Sequence, residues 1–445
     1  MMPQNKRTIL LYISLLFNHP AFCAEDKSTQ KKPWTFMVYF AADNNLKPFV
    51  VKCIKRMAQL GSNNNINLVA QLDTKTKAGE KITRRYYIEK NKVLHMNYDD
   101  PTTQKMDSGN PKTLISFCKW AITNYPAKQY AVVLWNHGSG IIDPITSRSI
   151  DTSRLYMLNP EIGLFELDRR IPFLDLLEQE ESGYPDRGIC WDDTTGHYMS
   201  NQGLEYALKE IKKIIGKKID LLGLDACLMS MIEVANITKH YAQVSIGSEE
   251  VGYNYGWDYY AILSPFVNHI LSPKDFARHI VATYKKTYTP IINDFTHSAL
   301  DLKIIYVLEK NIDTVARLLI ESLSNQKNNS VKRVIKASRN GRVCTHFNEP
   351  SYIDLHHFYT NLLANLKYIE YQKNTELKES LRQALTDGCK IIDQVVFANV
   401  FGKGLRKAKG ISIYFPERRI HLSYRKTNFV KENAWGAFIS RYLQV

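Results

Sequence analysis

Five short runs of almost unbroken apolar residues, at 34–40, 66–72, 130–135, 219–224 and 242–247, constrain the fold of this chain more than any other feature. They are rich in β-branched residues and short for helices, so they predict strands buried on both faces. Between them, 46–60 and 111–124 read as helices, the second with Leu114, Phe117, Cys118 and Ala121 at helical spacing. Strands alternating with crossover helices predict an α/β fold, a mostly parallel sheet flanked by helices. The alternating polarity of 84–98 predicts a hairpin at the sheet's edge. Beyond about residue 270 the pattern turns mainly helical, clearest at 275–286, 304–326 and 375–393. A strand pair around 410–415 and a closing helix over 428–443 complete it. The division expected is a sheet domain over 25–265 and a C-terminal helical and strand portion over 266–445 packed against it.

Two of the runs end in reactive side chains. The run 131–135 leads through Asn136 into His137 and Gly138, and the run 219–224 leads through Asp225 and Ala226 into Cys227. In an open parallel sheet the crevice lies beyond the carboxyl ends of the strands, where both residues fall. A cysteine attacks as its thiolate, and a neighbouring histidine lowers its pKa and hands a proton to the leaving group. Cys227 as nucleophile with His137 as general acid and base is therefore the chemistry these residue types suggest. Cys190 has no comparable His-Gly partner. The pair Asp192 and Asp193 is adjacent on an extended segment, so its side chains point apart and make a poor carboxylate dyad.

The first 24 residues carry Lys6 and Arg7, an apolar run over 9–17 and small residues at Ala21 and Ala24, the pattern of a secretory signal peptide. The run is shorter than the roughly 20 residues that span a bilayer, and none like it follows. An exported chain, periplasmic or extracellular, with no stable membrane insertion after leader removal is expected. Losing Lys6 and Arg7 lowers the formal charge from +15 to +13. The positive residues are scattered, with no basic stripe interleaved with aromatics, so a nucleic-acid partner is not expected. Of seven cysteines none forms a CxxC, which excludes a zinc ribbon or a disulfide scaffold. His346, His356 and His357 lack ligand-like spacing, and no metal site is expected.

Residues 138–188 interrupt the rhythm with Pro144, Pro160, Pro172 and Pro185 and little strand character. A stretch this long inside a compact domain reads as a surface insertion. It offers Arg148, Arg154, Arg169 and Arg170 to a peptidase selective for basic residues, and so reads as a processing segment.

Taken in order, the segments 34–46, 133–138, 220–231, 247–250 with Gly256-Trp257, and 409–416 resemble the clostripain family of cysteine peptidases in the caspase-like clan. The likeness spans nearly the whole chain after the leader. It implies a caspase-like sheet and an endopeptidase acting on protein or peptide substrates, with Cys227 and His137 as the dyad. The backbone amides of Gly138 and Cys227 are placed to form an oxyanion hole. Glycine after the histidine permits close approach of a peptide backbone. In the family, acids two residues before the cysteine and just before the later Gly-Trp hold a basic P1 side chain. Asp225 fills the first position, while Tyr255 stands at the second, before Gly256 and Trp257. Asp225, Tyr255 and Trp257 are thus the expected substrate-binding residues, with Asp258, Glu249 and Glu250 as substitutes for the absent acid. Preference for Arg or Lys at P1 follows from the resemblance, and self-processing is expected from the arginines of 138–188. No cofactor is required for the chemistry; Ca2+ enters only because some relatives depend on it. A non-catalytic binding or adhesion protein on the same scaffold is the alternative.

Overall fold

A computed structural model describes residues 31–143, 156–170, 188–253, 255–324, 329–370 and 375–444. The expected leader lies outside these residues, as do Arg148 and Arg154 of the expected processing segment. Among the described residues no helix is long and apolar enough to cross a membrane.

Nine strands form the central sheet: β1 (Lys32–Ala41), β2 (Ile66–Lys75), β3 (Lys81–Glu89), β4 (Lys92–His95), β5 (Ala127–Trp135), β6 (Ile219–Asp225), β7 (Ala242–Gly247), β8 (Thr296–Asp301) and β9 (Val396–Phe401). Their order is β9-β8-β7-β6-β5-β1-β2-β3-β4. The five strands expected from the apolar runs are the five adjacent central ones, all parallel. Each is buried almost throughout, which is why its sequence shows no polar alternation. The expected hairpin is β3–β4, antiparallel at one edge. Helices Lys47–Leu60 and Pro111–Asn124 stand where helical spacing placed them. Pro111 sits in the first turn, where its missing N–H costs nothing, and the Asn110 side chain caps Lys112 N–H.

The expected boundary near 265 does not divide the sheet. Strands β8 and β9 come from the C-terminal portion and extend the sheet antiparallel beyond β7. Neither was legible as a strand. β8 reads Thr-His-Ser-Ala-Leu-Asp, half polar, yet it is wholly buried. Two of its hydroxyls are matched: Ser298 Oγ donates to Gly410 O at 2.6 Å, and Thr296 Oγ1 accepts the N–H groups of Glu249 and Glu250 at 2.9 and 3.0 Å. β9 follows directly on the helix Thr375–Val395 with no turn residue between them.

The strand expected around 410–415 is present as Ser412–Tyr414, but it pairs with Tyr352–Asp354 in a small separate ladder. The closing helix is broken into Asn428–Glu432 and Trp435–Gln444. Asn433 makes the break, its Oδ1 accepting Trp435 N–H at 2.9 Å and its Nδ2 donating to Glu309 O at 2.8 Å. Within 138–188, the sequence suggested little strand, yet Tyr156–Asn159 and Leu164–Leu167 form a hairpin. Gly163 at its turn has φ +65°, a conformation that favours glycine.

Candidate active site

Three strand ends build the site. Beyond β5, Asn136 ties the neighbouring segments together: its Nδ2 donates to Ala41 O at the end of β1 at 2.5 Å, and its Oδ1 accepts Trp191 N–H at 2.9 Å. His137 follows, its ring tilted against Trp191 with centroids 5.7 Å apart. His137 Nε2 lies 2.8 Å from Asn45 Oδ1, in the loop after β1. With that oxygen as acceptor, the imidazole hydrogen sits on Nε2. Asn45 was not singled out from the sequence; its signal was its place in the Ala-Asp-Asn-Asn-Leu run at the carboxyl end of a buried strand.

Beyond β6, Cys227 reaches the same crevice. Gly252 N–H donates to Cys227 Sγ at 3.2 Å, and the Gly138 amide lies near enough to lower the thiol's pKa together with it. Leu228, next in the chain, holds φ at +61°, rare for a residue with a side chain and a mark of the sharp turn that presents the sulfur. Gly138 has no room for a side chain: a Cβ there would lie 2.6 Å from Cys227 O and 3.0 Å from the Met229 side chain. Burial pushes the Cys227 thiol up to about 12, against the lowering effect of the two amides. Burial thus favours the neutral thiol at this position. Cys190 is fully buried and its thiol is also pushed up by burial.

His137, Cys227 and Asp225 line one pocket of about 430 Å3, its open mouth included, together with Trp135, Ser248, Tyr253, Tyr284 and His297. Asp225 Oδ2 accepts Trp257 N–H at 3.0 Å and the Tyr259 hydroxyl at 2.9 Å. Burial nonetheless raises its carboxyl to about 7. A Cβ on Gly256, whose φ is +59°, would lie 2.7 Å from that same oxygen, so glycine lets the backbone close over the carboxylate.

Tyr255 and Trp257 stand elsewhere than expected. Tyr255 is 36% exposed, packs edge-on against Phe49 at 5.1 Å and carries Lys52 Nζ 4.5 Å above its ring, away from the pocket lining. The Trp257 ring lies behind the pocket, against Gly223 of β6; its contribution to the site is its backbone N–H. The three substitute acids have other partners. Asp258 caps the helix Tyr259–Leu263 and lies 3.8 Å from Arg56. Glu249 Oε2 accepts Gly410 N–H at 3.0 Å beside Asp354, and its carboxyl is raised well above the ordinary range by burial. Glu250 pairs with Arg169 at 3.0 Å. Asp192 is held by Lys81 and by Ser108 N–H, with Asp43 on the same lysine.

The clostripain family matches this chain over residues 38–150 and 176–441. The chain belongs to the clostripain family. Clostripain from Hathewaya histolytica is 29% identical over 220 residues, 45% of this chain and 35% of that protein. The chain therefore matches about a third of that relative's length. Two solved structures are similar over almost their full extent. An inactive zymogen C11 protease from Parabacteroides distasonis is 17% identical, with a TM-score of 0.57, covering 91% of this chain and 98% of that one. A secreted C11 cysteine protease from Bacteroides thetaiotaomicron, in complex with an irreversible peptide inhibitor, is also 17% identical, with a TM-score of 0.56 over 91% and 99%. At that identity the likeness shows the fold, a caspase-like sheet flanked by helices.

Proposed function

We propose that this clostripain-family chain is an exported cysteine endopeptidase in which Cys227 and His137 act as a dyad. The observation that carries the reading is the convergence of both side chains on one pocket, with Gly138 packed against the Cys227 backbone. His137 Nδ1 takes the thiol proton as Sγ bonds to the scissile carbonyl carbon. The oxygen that gains the electron pair is stabilised by the amides of Gly138 and Cys227, donors that face charge appearing only in the transition state. Collapse breaks the C–N bond, the amine leaves with the proton from His137, and a thioester remains. Water, deprotonated by the same imidazole, then releases the acid. Thiol and imidazole supply nucleophile and proton transfer, so no step is routed through a metal. Among the described residues no group of three His, Cys, Asp or Glu side chains is placed to hold one.

A basic P1 residue suits the pocket because Asp225 presents the single buried carboxylate of its lining, a partner for a cationic side chain. Self-processing within 138–188 is supported by access. Cys227 is 4% exposed and His137 1%, so a peptide reaches them only after covering chain moves. Part of that segment is latched close by, through Arg169 to Glu250 at 3.0 Å and to Asp294 at 3.3 Å. A blocked cleft is also what the binding-protein alternative requires. The test is hydrolysis of P1-Arg peptides by wild type, Cys227→Ala and His137→Ala, all purified and shown by melting to be folded. Turnover is expected from wild type, with a loss of at least about a thousandfold in each variant. Equal turnover from all three would remove the dyad, and none from wild type under reducing conditions would favour the binding protein.

A further inference from the structure

His297 is a buried polar side chain at this pocket with no partner. It lies on β8, is 2% exposed, and neither ring nitrogen has a hydrogen-bond partner. Its chain neighbours are satisfied through Thr296 Oγ1 and Ser298 Oγ, so the strand does not need an imidazole to close its own hydrogen bonds. Its ring stacks on Tyr284, with centroids 4.2 Å apart and 13° between planes, and meets Trp257 edge-on at 5.6 Å. An apolar side chain would make those contacts without burying two unpaired nitrogens, so the orphaned ring points to a ligand. The pocket that it lines is the one that holds Asp225.

Asp225 alone is a poor match for a guanidinium. Its Oδ2 is already shared between Trp257 N–H and the Tyr259 hydroxyl, while arginine brings five N–H donors. The second family acid is absent, and Tyr255 is turned away from the lining. We propose that His297 is a specificity-determining residue of the P1 pocket, its neutral imidazole accepting a hydrogen bond from a P1 arginine that Asp225 also binds. The inference rests on the peptidase reading above and deepens it. Burial lowers the pKa of His297 to about 3, so the ring brings no positive charge against the incoming cation. Trp135, Tyr253 and Tyr284 are also in the lining, and aromatic surroundings suit a flat, weakly hydrated guanidinium better than a compact ammonium. Lysine, with three donors at one point, depends less on a second acceptor.

The experiment compares kcat/KM for matched peptides with Arg or Lys at P1, using wild type, His297→Leu and His297→Gln, with thermal melts as a check of folding. His297→Leu is expected to lower the value for Arg at least about tenfold, chiefly through KM, and that for Lys about twofold, so the Arg-to-Lys ratio falls about fivefold. His297→Gln, which keeps an uncharged acceptor, is expected to restore most of the ratio. If the leucine variant does not fold, His297→Phe keeps a ring on Tyr284 and carries the same expectation. An unaltered ratio in the folded apolar variant overturns the role of His297 while leaving the peptidase intact. A wild-type chain that cleaves neither peptide and leaves Cys227 unlabelled by a thiol-directed peptide inhibitor overturns the peptidase reading, and the inference with it.

Discussion

At the scale of single residues, the neighbours of the reactive groups set what those groups can do. Asn45 fixes which nitrogen of His137 carries the hydrogen. Removing that oxygen in Asn45→Ala frees the ring to turn and to change tautomer, so kcat should fall about tenfold to a hundredfold with little change in KM. Steady-state kinetics on a P1-Arg peptide measure this directly; an unchanged kcat would show that the ring is held by other contacts. Asp225 gives a pH signature. Burial raises its carboxyl to about 7, so the empty pocket is neutral in acid and charged in mild alkali. The ratio of kcat/KM for P1-Arg to P1-Met peptides should therefore rise as pH increases through 7. Stability runs the other way. The unfolded carboxyl ionises near the ordinary value of 3.8 and the folded one near 7, so folding loses ground as pH rises between them. Asp225→Asn should abolish the rise in the ratio, and its melting temperature should gain on wild type from pH 4 to pH 8. His137 and Cys227 were legible because each ends an apolar run. His297 was not, because nothing in Thr-His-Ser-Ala-Leu-Asp announces a buried strand.

At the scale of elements, burial on both faces made the central strands readable and also fixes where the pocket can stand. β6 carries Gly223 in its middle, and the Trp257 ring lies on it: a Cβ there would be 2.6 Å from Trp257 Cη2 and 3.0 Å from Val133 Cγ2. Gly223→Ala should thus destabilise the fold by about 1–3 kcal/mol by overpacking. Because Trp257 N–H holds Asp225, the same change should weaken P1-Arg binding more than it slows a P1-neutral peptide. Chemical denaturation and the P1 ratio are the two readings; full stability with an unchanged ratio would show that Trp257 moves without cost. Helix positions were legible from apolar spacing, but the break at Asn433 was not. It depends on Glu309 O and Asp313 Oδ1, contacts more than a hundred residues away in the chain. β9 was hidden for a related reason, since a strand that begins where a helix ends leaves no turn to mark it.

At the scale of the whole molecule, the C-terminal portion is part of the site. It supplies β8 with His297, and Gly410 N–H fastens Glu249 in the loop that leads to Gly252. The order of motifs along the chain showed the family, whereas the continuity of one sheet from β4 to β9 needed coordinates. Arg169 ties the segment 156–170 to the same loop through Glu250 and to Asp294. The central claim is that Cys227 is a nucleophile served by His137. Its most direct measure is labelling of the chain without residues 1–24 by an irreversible P1-arginine peptide inhibitor, mapped by mass spectrometry. One label per chain on Cys227 in wild type, with labelling slowed at least about a hundredfold in folded His137→Ala, is the predicted result. Label on another cysteine, or an equal rate in both proteins, would contradict it.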